Sequence, residues 1–375
     1  MAVIRVLFLL ALVTCGGPLR ANPYYDPAKP HHTPDGFRNL HSARVAKPLG
    51  QLLEWRWQAW RDNLPPPPQE QPASVLPQLA LLKSNGERRI GGPAVRAVPS
   101  ATWIGHATVL VQSGGLNVLT DPVFSERASP VAFVGPKRAQ PPGIALGDLP
   151  PIDVVVISHN HYDHLDRTSV ILLNERSGGR TLFLVPLGLK AFFVQQGIFN
   201  VLELDWWDVH RFHGVDFQLV PVQHWSARGL GDRNHTLWGG WAVFADNLRW
   251  YYSGDAGYSP DFAETRERLA PRSRDGSLFD LAVLAIGAYE PRWFMTEQHM
   301  NPAEAVQAHK DLSARRSLGV HWGTFELTDE PLDQPPKDLA AARQAQGLAE
   351  QDFFVLKIGE TWWPAGTPHT TAVKQ

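Results

Sequence analysis

Cysteine is almost absent: Cys15 is the single one in 375 residues. No disulfide can form within the chain, and a bound metal would have to be held by His, Asp and Glu. A dominant charge is absent as well. The 35 basic and 37 acidic residues leave a formal net charge of −2. No strong positive field draws such a chain to nucleic acid, so a nucleic-acid partner is not expected. No repeat of solenoid length is visible. Long apolar runs are missing too. Val6 to Val13 follows Arg5 and is too short to span a bilayer. Cys15-Gly16-Gly17-Pro18 and Ala21 come after it, so residues 1–21 read as an export signal cleaved after Ala21. That reading places the protein in the periplasm or cell envelope. Leu12-Val13-Thr14-Cys15 also loosely resembles a lipoprotein signal, which leaves membrane association open.

Tryptophan, by contrast, is plentiful: there are 14, including the pairs Trp206-Trp207 and Trp362-Trp363. Such rings mostly fill cores, and otherwise meet amphipathic partners such as lipid. With 43% hydrophobic residues the chain can bury a sizeable core. Residues 22–95 read as an irregular arm, a helix and a Pro-rich linker. The helix falls at 49–60, where Leu49, Leu52, Leu53, Trp57 and Trp60 have helical spacing, and it is expected to pack on the main body. Pro65 to Pro68 end it and open the linker. From about Ala101 short β-branched runs alternate with Gly, Pro and Asp. Strands are expected at 108–111, 117–120, 154–157, 182–185, 201–204, 217–222, 241–244, 249–252, 281–286 and 317–320. Helices are expected at 168–176, 187–196, 262–269 and 302–312, the last opened by Asn301-Pro302-Ala303-Glu304. This pattern predicts an α/β catalytic body over 96–365, its sheets covered by helices, and a disordered tail at 366–375.

The chemistry concentrates after Val154-Val155-Val156-Ile157, a continuously apolar run that marks a strand buried on both faces. The chain leaves it at Ser158 and at once presents His159, His161, Asp163 and His164. On an extended loop His159 and His161 converge on one metal, while Asp163 and His164 turn toward a second; two adjacent metals suit hydrolysis. Three further ligands follow predicted strands at their C-terminal ends: His224, Asp255 in Ser253-Gly254-Asp255, and His321. In open α/β architectures that edge is where sites are built. His106 and Asp121 also follow strand-like runs and could hydrogen-bond the ligands, since a ligating His normally donates its other N–H.

His-x-His-x-Asp-His followed by distant His, Asp and His resembles the metallo-β-lactamase superfamily. Other segments resemble one branch of it, the N-acylphosphatidylethanolamine-hydrolysing phospholipase D family. They are Thr102-Trp103-Ile104-Gly105-His106-Ala107-Thr108, Thr120-Asp121-Pro122, Arg127-Ala128-Ser129-Pro130, Gly135-Pro136-Lys137-Arg138, Leu204-Asp205-Trp206-Trp207, Gln223-His224-Trp225, Ile286 to Met295, and His321-Trp322-Gly323-Thr324-Phe325. The resemblance spans roughly residues 100–330.

It implies a four-layer αβ/βα sandwich and two Zn2+ per chain. One ion would take His159, His161 and His224, the other Asp163, His164 and His321, with Asp255 between them; Asp163 and Asp255 count among the catalytic groups. It further implies substrate contacts at Tyr162 and at His299 in Gln298-His299-Met300-Asn301-Pro302. The expected partner is a phospholipid at a membrane surface, and a homodimer is left open. The expected reaction is phospholipase D-type hydrolysis of N-acylphosphatidylethanolamine to N-acylethanolamine and phosphatidate. Zinc lowers the pKa of bound water to about 7, which suits attack on phosphorus. The same ligands would serve a lactone, amide or ester hydrolase, or a non-catalytic zinc-binding envelope protein. Lys137-Arg138 and Arg292 are expected as solvated charges, with lipid phosphate as the other reading.

Overall fold

Val154 to Ile157 shows how the body is built. In the computed structural model all four side chains are buried, but alternate residues go to different cores. Val154 and Val156 pack with Val118, Leu184 and Trp241 in one core, while Val155 and Ile157 pack with Val170 and Leu173 in another. A strand with period-2 side chains can serve two cores only if a sheet lies on one side and helices on the other. Residues 21–42, 45–87, 98–229 and 231–364 are described. The export signal up to Arg20, with Cys15, and the tail at 366–375 lie outside the described residues.

The arm forms a small hairpin, β1 (His32–Thr33) and β2 (Gly36–Phe37), followed by α1 (Leu49–Arg61) and α2 (Leu79–Glu87). The first large sheet then takes β3 (Ser100–Gly105), β4 (Thr108–Ser113), β5 (Leu116–Thr120), β6 (Val154–Val156), β7 (Leu182–Pro186) and β8 (Val201–Leu204). Helices α3 (Arg167–Ser177) and α4 (Lys190–Gln195) connect its last strands. The second sheet takes β9 (Val209–Phe212), β10 (Val215–Val220), β11 (Gly240–Phe244), β12 (Arg249–Tyr252), β13 (Leu281–Ala285), β14 (Ser317–Val320) and β15 (Phe353–Phe354). Between these strands run α5 (Asp261–Leu269), α6 (Arg292–Met295), α7 (Pro302–Asp311) and α8 (Gln334–Gln346). The final strand, β16 (Thr361–Trp362), returns to the first sheet beside β3, so each sheet has seven strands. The αβ/βα sandwich of the sequence reading is the architecture observed.

Strand direction positions the site. In the first sheet β3 and β5 both run antiparallel to β4, and β6 runs parallel to β5. In the second sheet β10 and β12 both run antiparallel to β11, and β13 and β14 run parallel to β12. The C-terminal ends of β3, β5 and β6 therefore share one edge of their sheet, and those of β10, β12 and β14 share one edge of theirs.

Local signals mark several elements. Asp166 caps α3 by accepting from Thr168 N, and Gly178 ends it in the left-handed conformation. Asn301 and Glu304 form a capping box on α7 with Pro302 in its first turn. Other elements differ from expectation. The Pro-rich linker contains α2, whose Leu82 is fully buried against the first sheet's helix-side core. α8 was not expected; Pro335-Pro336 fall in its first turn, where a missing N–H costs no bond. β3 was not expected either, nor were the short strands β9, β15 and β16. Among the described residues no helix is long and apolar enough to cross a membrane.

Candidate metal centre

Six side chains of the site stand just beyond the strand ends described above, and backbone strain gathers with them. His106, Asp121 and His321 have φ of 52°, 30° and 65°, a region that costs a non-glycine residue energy and recurs at functional sites. Gly254, before Asp255, has φ 56°, and a Cβ there would lie 2.4 Å from Ser158 Cβ. Only glycine lets the β12 loop approach the β6 loop this closely.

A buried carboxylate organises the loop. Asp121 accepts from Ser158 N (2.7 Å), Ser158 Oγ, His164 Nδ1 (2.7 Å) and Tyr252 Oη (2.5 Å). Ser158 Oγ, having donated to Asp121, accepts from His159 Nδ1 at 2.8 Å. His224 Nδ1 donates to Gln298 O at 2.9 Å. With Nδ1 committed on His159, His164 and His224, the lone pair of each sits on Nε2 and points inward. His106 Nε2 donates to Asp163 Oδ2 at 2.9 Å. The two residues expected to support the ligands thus do so at different points, Asp121 on His164 and His106 on Asp163.

The inward atoms form two groups. His159 Nε2 lies 2.8 Å from His161 Nδ1, which is 3.3 Å from His224 Nε2; Asp255 Oδ2 completes this group, 3.8 Å from His159 and from His224. In the second, His164 Nε2 and His321 Nε2 are 3.2 Å apart and lie 3.5 and 3.3 Å from Asp163 Oδ2. Asp255 reaches this group as well, 3.0 Å from each ring. Ligands about 2.0–2.1 Å from a tetrahedral ion stand about 3.4 Å from one another. Facing lone pairs at these separations repel unless a cation lies among them. The donors fit two adjacent ions, with Asp255 within reach of both.

Electrostatics agrees for the first group; in the second, burial is outweighed by the Asp255 and Asp163 carboxylates, which raise His164 well above the usual imidazole range and His321 to about 9. Burial, and then the neighbouring imidazoles of His164 and His161, hold His159 well below the usual imidazole range. Burial likewise lowers His224 far down and His161 to about 4. These rings are neutral, the form that binds a metal. Burial opposes the charge of Asp163 and Asp255, yet His164 and His321 hold both carboxyls ionised, well below the usual range.

A cavity of about 540 Å3 opens from this cluster. His161, Tyr162, Asp163, Asp255 and His299 form its floor, and Leu49, Leu52 and Trp55 of α1 with Phe294, Met295 and Leu327 form its wall. His299, expected at the substrate, has Nδ1 unpartnered among the described residues, 4.0 Å from Asp255 Oδ2. Tyr162 also lines the cavity, but its hydroxyl is committed to Arg228 O at 2.8 Å. Arg228 was missed by the sequence reading. Its Nη1 donates to Asn160 O and Leu165 O, both at 2.7 Å, gripping the ligand loop at two points while its guanidinium covers the Tyr162 ring. A lone Arg four residues after a ligand offers no readable signal for this.

Two basic residues require correction. Arg138 is neither solvated nor lipid-facing: it is 8% exposed, donates to Val123 O and Ser125 O, and lies over Phe325. Arg292 makes a two-bond pair with Glu304 and donates to His299 O at 3.0 Å, so it buttresses the His299 segment. Lys137 does sit at the surface, paired with Glu126. A larger cavity, about 880 Å3 between Lys29, His31, Trp207 and Arg268, contains none of the donors.

Comparison with known proteins places this geometry. The Beta-lactamase superfamily domain profile matches residues 116–322. The chain is 44% identical over 277 residues to N-acyl-phosphatidylethanolamine-hydrolyzing phospholipase D 1 of Caenorhabditis elegans, covering 70% of this chain and 75% of that one. It is 34% identical over 266 residues to the mitochondrial N-acyl-phosphatidylethanolamine-hydrolyzing phospholipase D of Saccharomyces cerevisiae, covering 69% of this chain and 55% of the yeast protein. Among solved structures, an isothiocyanate hydrolase from Delia radicum gut bacteria aligns with a TM-score of 0.55 at 21% identity, over 70% of this chain and 98% of that one. That likeness is one of fold.

Proposed function

Because the chain belongs to the N-acyl-phosphatidylethanolamine-hydrolysing phospholipase D family of the metallo-β-lactamase superfamily and is a metal-dependent hydrolase, we propose that it hydrolyses N-acylphosphatidylethanolamine at a membrane surface of the cell envelope. The observation that carries the lipid reading is the form of the cavity. Its floor is the donor cluster, and its wall is mainly apolar, with Leu49, Leu52 and Trp55 of α1 beside Phe294, Met295 and Leu327, and Lys47 and Arg233 adding charge. An amphiphile with a phosphodiester at one end and acyl chains at the other matches both parts.

α1 extends the same character outward. Trp55 is buried, stacked on Phe294 at 4.9 Å, and donates Nε1–H to Asp329 at 2.9 Å. The other face, Leu49, Leu53, Trp57 and Trp60, is at least half exposed. Their spacing of four, four and three residues makes one stripe. Such a stripe suits the lipid interface, where Trp and Leu enter while Arg56 and Arg61 stay at the headgroups.

His159, His161 and His224 would hold one zinc ion and Asp163, His164 and His321 a second, with Asp255 facing both. Ions so placed supply a water reactive at neutral pH and neutralise charge on the phosphate oxygens. Water is added across the P–O bond on the ethanolamine side; phosphatidate keeps the phosphorus and the N-acylethanolamine leaves as an alcohol. His299 stands where it can donate an N–H to a phosphate oxygen, and Tyr162 shapes the floor with a ring that Arg228 holds still. Gln298 O and Asp121 keep their histidines from turning as the lipid enters.

The decisive experiment mixes the zinc-loaded protein with vesicles of N-acylphosphatidylethanolamine, of phosphatidylethanolamine, and with a soluble aryl phosphodiester. Products are followed by mass spectrometry, with His161→Ala as the blank. Release of N-acylethanolamine and phosphatidate, absent from the blank, is expected. Turnover of the aryl diester alone would remove the lipid assignment. No turnover of any of them would favour a lactone, amide or ester substrate.

A further inference from the structure

The N-terminal arm precedes the matched superfamily domain, yet it reaches the donor cluster through one side chain. Asn39 Nδ2 donates to His224 O at 2.8 Å, and Asn39 Oδ1 accepts from His224 N at 3.0 Å. A neighbouring strand would make the same pair of bonds; here an amide side chain supplies it. The backbone of His224 is thus held at both polar groups while Gln298 O holds its ring through Nδ1. One direction is left for Nε2, toward His161 Nδ1 and Asp255. The preceding residue, Gln223, is tied to Glu297 O at 3.0 Å, and Ser42 of the arm donates to Glu297 Oε2 at 2.8 Å.

The arm is firmly seated upstream of that contact. Phe37 N donates to Asn234 O at 2.8 Å, and a Cβ on Gly36 would lie 2.2 Å from the same oxygen. The hairpin is closed by Asn22 Nδ2 on Gly36 O at 2.8 Å. His31 and His32 donate to opposite oxygens of buried Asp205, at 2.7 and 2.9 Å, and Lys29 adds a third bond. This His-His-Asp group has the composition of a metal site, but the three donors already satisfy its carboxylate. It serves as the arm's anchor.

We propose that the arm is part of the metal centre and that Asn39 is a positioning residue for His224. Its role follows from what a ligand needs. Three donors bind one ion tightly only if all are aimed before the ion arrives, and groups that aim a ligand are typically worth 10- to 100-fold in metal affinity. His159 and His161 share a loop gripped by Asp121 and Arg228. His224 comes from the other sheet; Gln223 and Ser226 on either side of it are tied to Gly257, Glu297 and Thr236, while its own backbone and Nδ1 are held by Asn39 and Gln298. The inference rests on the metal-dependent hydrolase reading and is independent of the lipid substrate.

The test uses the full chain and zinc alone, with affinity read by competition against a chromophoric chelator and the melting temperature of the metal-free protein read alongside. Asn85 offers a matched control: it makes the same two-bond clamp on the backbone of Val98, at 2.9 and 2.8 Å, away from the donors. Asn39→Ala should weaken at least one zinc equivalent by about 10- to 100-fold. Asn39→Asp, which keeps the acceptor for His224 N and loses the donor to His224 O, should fall between it and wild type. Asn85→Ala should lower the melting temperature and leave zinc affinity unchanged. An Asn39→Ala protein that binds zinc like wild type, or a loss of affinity that Asn85→Ala reproduces, would overturn the proposal. Should Asn39→Ala not fold, Asn39→Asp carries the same comparison. Wild-type binding in that titration reports on the zinc reading separately.

Discussion

Beneath the floor of the cavity, Asp121 is wholly buried and takes hydrogen bonds from Ser158, His164 and Tyr252. On the outer face of α1, the helix that also lines the cavity rim, Trp57 and Trp60 are 55% and 68% exposed, with the Arg61 guanidinium over the Trp57 ring. The floor is polar and interlocked, and the layer behind it is strained at His106, Asp121 and His321. The outer face is mainly apolar, regular and carried by one helix whose buried residues are Trp55 and Ala59. The contrast separates two tasks. Stabilising charge at phosphorus requires dipoles and ligands that do not move, because reorganising them would raise the barrier. Meeting a lipid requires exposed area, and apolar burial is non-directional, so side chains there need no fixed partners.

Substitutions should respect that division. The largest effect is expected at the floor. Asp121→Ala removes the acceptor of His164 and Ser158 together, and should lower metal affinity about 10- to 100-fold. Activity toward vesicle lipid and soluble diester should fall by the same factor, measured at limiting zinc. A loss confined to the lipid would break the distinction drawn here.

A smaller and selective effect is expected at the rim. Replacing Leu53, Trp57 and Trp60 together by Ser should raise KM for vesicle lipid about tenfold or more, since each buried side chain of this kind is worth about 1.5–3 kcal/mol. Turnover of the soluble aryl diester should stay at the wild-type level. Vesicle co-sedimentation gives the independent readout, and unchanged sedimentation would count against the interfacial reading of α1.

The smallest effect belongs to the arm's exposed edge. A hydrogen bond to Asp261, aided by Glu264 and opposed by partial burial, raises His41 to about 9. The folded value lies above the unfolded one of about 6.5, so the contribution is complete below about pH 6.5 and disappears as pH rises through about 9. His41→Gln should lower the melting temperature at about pH 6 and leave it unchanged at about pH 10, a difference worth under about 1 kcal/mol because solvent still reaches the His41 ring, although Asp261 is buried. An equal drop at both values would show that packing, and not charge, explains His41.

Much of this was legible beforehand where the signal is local. The ligand loop stands out because four donors follow a continuously apolar strand, and α7 because Asn301-Pro302-Ala303-Glu304 opens it. Legibility failed where a residue's meaning depends on something distant. α8 went unforeseen, although Pro335-Pro336 sit where a helix start tolerates them. Arg138 and Arg292 read as surface charges because nothing adjacent reveals the carbonyls and the Glu304 carboxylate they meet. Asn39 and Arg228 carried no pattern at all.

By itself, the sequence determined the ligand chemistry, the absence of thiolate ligation, the α/β class and the buried strand that delivers His159 to His164, because each rests on residue type or on neighbours within a few positions. Only the tertiary structure decided that His224, Asp255 and His321 meet that loop at bonding distances, that Asp255 faces both donor groups, and that the arm closes on His224. Those contacts depend on the direction of strands in two sheets packed face to face. No local periodicity encodes that direction, because it emerges only when both cores are filled together.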